Sequence, residues 1–304
     1  MNGLLESFVH LRGSGEILSL AAALIWALAV VMFRVVGDKI SPLGINTYKN
    51  FLALILYGLS IAFFGESLSV PLPWTRVVLF VISGVLGIAL SDWLFLIALA
   101  RLGAELTAIV DCAYSPFVIG LSFLFLGERM SALQTAGVAL IVAAVLMITR
   151  NKGNTPLSRR DLVSGVILGV AAMFLTAAGI VMVKPWLGQT PLLWACFVRM
   201  VGGAAGTALI LALHPRRKEI LTPLRLGVGR RLLPAASILG TYVSPILWTA
   251  GFTYTMASIA SALNQLNTIF IFVLAAVILK EKVTPLKLAA VALAFGGALL
   301  VSIR

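Results

Sequence analysis

The sequence predicts an all-α integral membrane protein whose ten transmembrane helices form two inverted five-helix repeats. Three observations lead there: an extreme composition, a punctuated series of apolar runs, and a long internal repeat. Of the 304 residues, 61% are hydrophobic and 11% charged, and the mean hydropathy is +1.07. Soluble domains carry about a quarter charged residues, so the soluble enzymes are excluded as a class. The net charge of +12 raises nucleic acid as a partner, but the basic residues sit in short stretches between apolar runs, as membrane loops arrange them. No nucleic-acid partner is expected, and the surrounding partner is membrane lipid.

A spanning helix takes about 20 mostly apolar residues. Charges and turn residues divide the chain into candidate spans at 16–36, 43–65, 77–100, 104–126, 131–149, 162–184, 190–213, 232–252, 257–279 and 285–303. Residues 1–14 form an N-terminal segment rather than a signal peptide, because Glu6, Arg12 and polar residues precede the first long apolar run. That run, Ile17 to Phe33, is therefore a mature helix. Residues 15–150 hold five spans, residues 151–161 read as a linker, and residues 162–304 hold the other five. The stretch from Leu232 to Leu279 has no charge and, at 48 residues, is too long for one crossing. Its turn is expected at Thr253 to Ser258. Strings such as Val138 to Ile148 do not alternate in polarity, as the strands of a β-barrel would.

Small residues four apart, at Ser83/Gly87, Gly165/Gly169 and Gly202/Gly206, are expected to let helices approach closely. Cys112 and Cys196 lie within apolar runs, and His10 and His214 are far apart in sequence. There is no disulfide framework and no metal-ligand spacing, so neither metal nor cofactor is expected. An embedded enzyme would need a nucleophile, base or ligand cluster that this sequence lacks.

The repeat is the most informative feature. Leu126-Gly-Glu-Arg-Met-Ser-Ala-Leu133 matches Leu279-Lys-Glu-Lys-Val-Thr-Pro-Leu286 at an offset of 153. The same offset places Leu86, Gly87 and Ser91 on Leu239, Gly240 and Ser244, and Phe117 on Phe270. Nearer the start, an offset of 150 aligns Gly15, Ile17, Leu18, Ala21 and Ala22 with Gly165, Ile167, Leu168, Ala171 and Ala172. Ser41-Pro42-Leu43 meets Thr190-Pro191-Leu192. Five spans per copy is an odd number, so the second copy enters from the opposite side. Inverted repeats are typical of secondary transporters, with substrate near the midplane. A channel or a non-transporting membrane receptor with the same fold is the alternative.

Pro116 before an apolar run, Leu126-Gly-Glu128-Arg, and a small-residue helix with Gly137, repeated as Leu279-Lys-Glu281-Lys and a helix with Gly296-Gly297, resemble the EamA repeat of the drug/metabolite transporter superfamily. The resemblance covers about residues 15–303. It implies a ten-helix basket that carries small organic solutes such as amino acids or drugs, often outward, through a bacterial-type inner membrane. The chain departs from a strict repeat where Ile269 stands opposite Pro116 and Asn50 opposite Arg199.

Ionisable residues inside a span usually face a cavity or a partner. Asp92 lies eight residues before the end of the third span and Asp111 seven after the start of the fourth. At 1.5 Å per residue both sit about 10–12 Å below one surface. Lys49, on the same side, is a counter-charge within reach, and either arrangement of the carboxylates can serve proton coupling. The second repeat offers Asn264 opposite Asp111 and Pro245 opposite Asp92, with Gln265, Asn267 and Thr268 beside Asn264 and Arg199 as a deep cation. Anion and cation together suit a zwitterion such as an amino acid; a drug site would lean on aromatics, for which Trp26, Tyr114, Tyr242 and Trp248 are available. Asp111 and Asn264 are the leading substrate contacts. Glu128 and Glu281 stand at helix ends just before Ser131 and Thr284, which can cap the next helix, so they read as turn residues.

Two signals for orientation conflict, and the count of basic residues is preferred because it uses this chain's own short loops. One side holds Arg12, Arg76, Arg129, Lys184 and Arg304, and the other nearly all remaining basic residues, including Lys287. The positive-inside rule puts both termini outside, whereas the resemblance implies cytoplasmic termini. Substrate identity and oligomeric state are not written in residue types.

Overall fold

The computed structural model describes residues 14–65, 72–126, 131–150, 157–254, 263–280 and 283–302. All regular structure among the described residues is helical, with no strand. Helix α1 is Ser14–Val36 and α2 is Pro42–Phe64, the latter capped by Ser41, whose Oγ accepts from the Gly44 amide at 3.2 Å. Helix α3, Trp74–Leu102, contains a π-helical turn at Val85–Leu90. The fourth predicted span is broken: α4 is Ala104–Asp111 and α5 is Tyr114–Leu126. Helix α6 is Ala132–Arg150, and α7 is Arg159–Leu187, capped by Ser158 and running on through Pro185.

Helix α8 is Leu192–Leu213, and a short polar helix α9, Arg217–Arg225, occupies what the sequence suggested was plain loop. Helix α10 comprises Leu232–Ser237, a π-turn at Ile238–Val243, and Ser244–Tyr254. Helix α11 is Leu266–Ile278 and α12 is Pro285–Ser302. Seven of the helical stretches are long and apolar enough to cross a membrane, and three shorter apolar helices lie at Ala132–Met147, Leu266–Ile278 and Pro285–Leu300. Large apolar side chains such as Phe63, Phe125, Leu209 and Val277 point outward, the surface a lipid environment accepts. Glu128, Glu281 and most of the expected 253–258 turn lie outside the described residues. Ser131 and Thr284 do cap: their hydroxyls accept from the Gln134 amide at 3.2 Å and the Lys287 amide at 3.3 Å.

The two repeats pack reciprocally. Ser91 of α3 donates to the Ala172 carbonyl of α7 at 2.8 Å, and its repeat mate Ser244 of α10 donates to the Ala22 carbonyl of α1 at 3.2 Å. Each third helix is thus fastened to the other repeat's first helix, at matching places. The second helices of the two copies, α2 and α8, run antiparallel: Gly58 packs on Phe197, while Asn50 bonds Thr207. The closest approach is between α3 and α8. A Cβ on Gly84 would lie 1.8 Å from the Arg199 carbonyl oxygen, and one on Gly202 would lie 2.0 Å from that of Val81. The small residues picked out in the sequence therefore stand at helix contacts.

Candidate functional site

A cavity of about 270 Å³ opens between the two repeats. It takes residues from α1, α2, α3, α5, α7, α8 and α10, and from both helix breaks. The first break follows Asp111, which ends α4, and Tyr114 opens α5 with Pro116 in its first turn, where a proline's missing N–H costs no helix bond. The second falls at Gln265, the repeat mate of Cys112, immediately before α11. At both breaks Cys112, Ala113 and Gln265 are buried by the surrounding bundle, and membrane proteins tolerate irregular backbone where protein or a cavity covers it.

Of the residues singled out in the sequence, Trp26, Asp92, Asp111, Tyr114, Arg199, Trp248, Asn264, Gln265 and Asn267 all line this one cavity. Lys49 stands just behind the wall. Its ammonium pairs with Asp92 and donates to Asn50 Oδ1 at 3.0 Å. Asp92 and Asp111 share the cavity yet are engaged differently. Asp111 Oδ2 accepts from the Asn267 side-chain amide at 3.0 Å, and Thr268 Oγ1 donates to Asn267 Oδ1 at 3.3 Å. Gln265 donates to the Ser115 hydroxyl. The Asn264 side-chain nitrogen is shielded from solvent and has no hydrogen-bond partner. Arg199 Nε donates to Ser83 Oγ at 3.0 Å, which in turn donates to the Gly179 carbonyl at 2.6 Å. Tyr114 lines the same cavity as Arg199 and Asp111.

The aromatic expectation needs one correction. Trp26, packed on Phe95 at 5.9 Å, lines the cavity with Tyr114 and Trp248, but Tyr242 does not. Tyr242 lies behind Tyr57, ring centroids 5.0 Å apart, with its hydroxyl bonded to Ser60, and Tyr57 takes the place at the wall. A tyrosine within an apolar run gives no sign of which helix face it occupies, so Tyr57 was not visible in the sequence. Ser91, Thr176 and Cys196 were also missed as lining residues. Ser91 did leave a trace, as a serine kept in both copies.

A second correction concerns Lys287, taken as a loop cation. It is ion-paired with Glu105, whose side chain is fully buried, joining the first turns of α4 and α12. This pair is separate from the cavity. Arg34, by contrast, stays at the surface and bonds Asp38 at 2.6 Å.

Apolar helices in two reciprocal copies, closing on a central cavity with charged and amide walls, define a polytopic membrane protein with an internal binding space. The chain belongs to the EamA-like transporter family, whose model matches residues 13–150 and 163–303; members of that family are membrane transporters rather than enzymes. No curated protein matches the chain. A solved crystal structure, described only as that of a protein, is similar with a TM-score of 0.67 at 16% identity, over 95% of this chain and 96% of its own. That likeness concerns the fold.

Proposed function

We propose that the chain is a secondary transporter of ten spans, in which repeats 15–150 and 162–304, joined by a linker at 151–161, are inverted with respect to each other. In this reading it exports a small metabolite, amino-acid-like or drug-like, by alternating access at the central cavity. The antiparallel pairing of α2 with α8 supports the inversion. The observation that carries the function is the pairing of charges in the cavity. Asp92 is already neutralised by Lys49, while Asp111 and Arg199 are held by the neutral groups Asn267 and Ser83.

One carboxylate and one guanidinium thus retain capacity for a ligand, and they face the same space. A zwitterion would place its ammonium at Asp111 and its carboxylate at Arg199, adding no net charge to a low-dielectric site. Asn264 and Gln265 would contribute amide contacts, Trp26, Tyr114 and Trp248 an apolar surface, and Asp111 a place to carry a coupling proton. The basic-residue count assigns both termini to the outside of a bacterial-type inner membrane. A fluorescent reporter that is dark outside the cytoplasm, fused after Arg304, should therefore stay dark; bright cells would reverse the orientation.

The test of function is counterflow of labelled leucine and phenylalanine into proteoliposomes. Saturable exchange that slows in Asp111→Asn is the expected result. Flux that never saturates would replace the carrier with a channel, and unchanged flux in Asp111→Asn would remove that residue's role.

A further inference from the structure

The two π-turns are held by one helix. Asn46 Nδ2 donates to the Ala89 carbonyl, in the first π-turn, at 2.9 Å. The Tyr57 hydroxyl lies 3.3 Å from the Thr241 carbonyl and 3.1 Å from that of Tyr242, both in the second. Ala89 and Tyr242 are repeat mates at the offset of 153. The second contact has a chemical cause. Pro245 has no N–H to give to the ladder at this turn, and Tyr57 brings a hydroxyl proton to the carbonyls just before it.

Asn46 and Tyr57 are eleven residues apart on α2, three turns and about 16 Å along one face. Asn50 and Ala53 lie between them on the same face, and all four are buried. Asn46 and Asn50 also donate to Thr207 of α8, at 3.4 and 2.9 Å. The second repeat has no equivalent device, because the offset of 149 puts Ala195 and Gly206 opposite Asn46 and Tyr57.

We propose that α2 is a strut latching both π-turns, and that Asn46 and Tyr57 are positioning residues for the conformational step of transport. Each π-turn is where the helical ladder changes register: the Ser91 amide bonds the Leu86 carbonyl, and the Ser244 amide bonds that of Leu239, five residues back in each case. Moving that bond forward by one residue converts π to α geometry and turns the helix beyond it by up to about 100°. In α3 the residue just beyond is Asp92, so the slip re-aims the carboxylate that Lys49 holds. In α10 it turns the half that carries Trp248. The bonds from Asn46 and Tyr57 fix the register in the state seen here, and because one rigid helix makes both, the two turns are released together.

The inference rests on the transport reading, and the experiment separates the two. Full-length Asn46→Leu and Tyr57→Phe are compared with wild type by leucine counterflow and by hydrogen exchange. Expected is a fall in kcat of about tenfold with KM within about twofold. Exchange should quicken at residues 85–90 in Asn46→Leu and at residues 238–243 in Tyr57→Phe. A purely structural role would raise exchange throughout and leave kcat per folded molecule unchanged, which overturns the proposal. If wild type carries no leucine, the zwitterion reading fails, and the latch is judged on exchange alone: local quickening supports it and unchanged exchange overturns it. If Asn46→Leu does not fold, Tyr57→Phe, which removes a single oxygen, decides.

Discussion

The two repeats share a scaffold and divide the chemistry. Their third helices carry π-turns at equivalent places, their fourth spans break at equivalent residues, and Ser91 and Ser244 make equivalent bonds. The side chains at those places differ: Asp111 corresponds to Asn264, and Asp92 with its Lys49 partner is replaced by Pro245 and a bond from Tyr57. Backbone geometry is therefore kept at equivalent places in both copies, while the polar groups there diverge. A cavity with two different walls can hold a ligand that itself has two different ends.

The largest expected effect tests how closely the shared scaffold is packed. Gly202→Val drives a side chain into the Val81 carbonyl and should abolish folded protein on size-exclusion chromatography. Its repeat mate Ala53 already has a Cβ, so Ala53→Val should cost only the ~1–3 kcal/mol typical of overpacking. Equal losses at both positions would erase this difference between copies.

Next comes the ion pair that only the first repeat has. Lys49→Met leaves Asp92 without its cation, and a buried pair broken on one side costs about 3–5 kcal/mol. The Asp92 side chain keeps 25% of its exposure, so about 2–3 kcal/mol is expected, read as a lower melting temperature. Adding Asp92→Leu to Lys49→Met should recover most of it. If the single variant melts like wild type, the pair contributes no stability.

A smaller change separates the charged wall from the amide wall. Asp111→Asn should slow counterflow about tenfold and Asn264→Ala about threefold, since hydrogen bonds to charged groups are roughly twice as strong as neutral ones. The reverse order would move the ligand's main anchor to the second repeat. The smallest effect belongs to the surface: Arg34→Ala should change stability by under ~1 kcal/mol, measured by thermal melting.

Much of this arrangement was legible in the sequence because a duplication gives two readings of each position. The offset of 153 matched Leu86, Gly87 and Ser91 with Leu239, Gly240 and Ser244, and the structure puts π-turns at those places in both copies. The π geometry itself was not legible, since it depends on which carbonyl an amide meets rather than on residue type. Asp92, Asp111 and Arg199 stood out because charge at depth is expensive and needs a setting. The break after Asp111 was not predicted, because Cys112 and Ala113 continue an apolar run, although Pro116, which cannot donate to the Cys112 carbonyl, was a signal for it. Tyr57 and Glu105 were missed for opposite reasons. Tyr57 carries no mark beyond ordinary membrane aromatic content, and Glu105, a charge at the edge of a span, gives no sign of the distant Lys287 that pairs with it.

The charges buried in this bundle have an electrical consequence. Lys49, Arg199 and Lys287 carry three positive charges, and Asp92, Glu105 and Asp111 three negative. When ionised, they leave the interior among the described residues electroneutral. A membrane voltage does about 2.3 kcal/mol of work on each elementary charge it moves through 100 mV. In the proposed alternating access, motion of one repeat against the other would shift the net −2 of Lys49, Asp92, Glu105 and Asp111 relative to the net +2 of Arg199 and Lys287, so the empty protein should reorient at a rate that responds to voltage. A reorientation rate that ignored voltage would mean that the six groups move as one body.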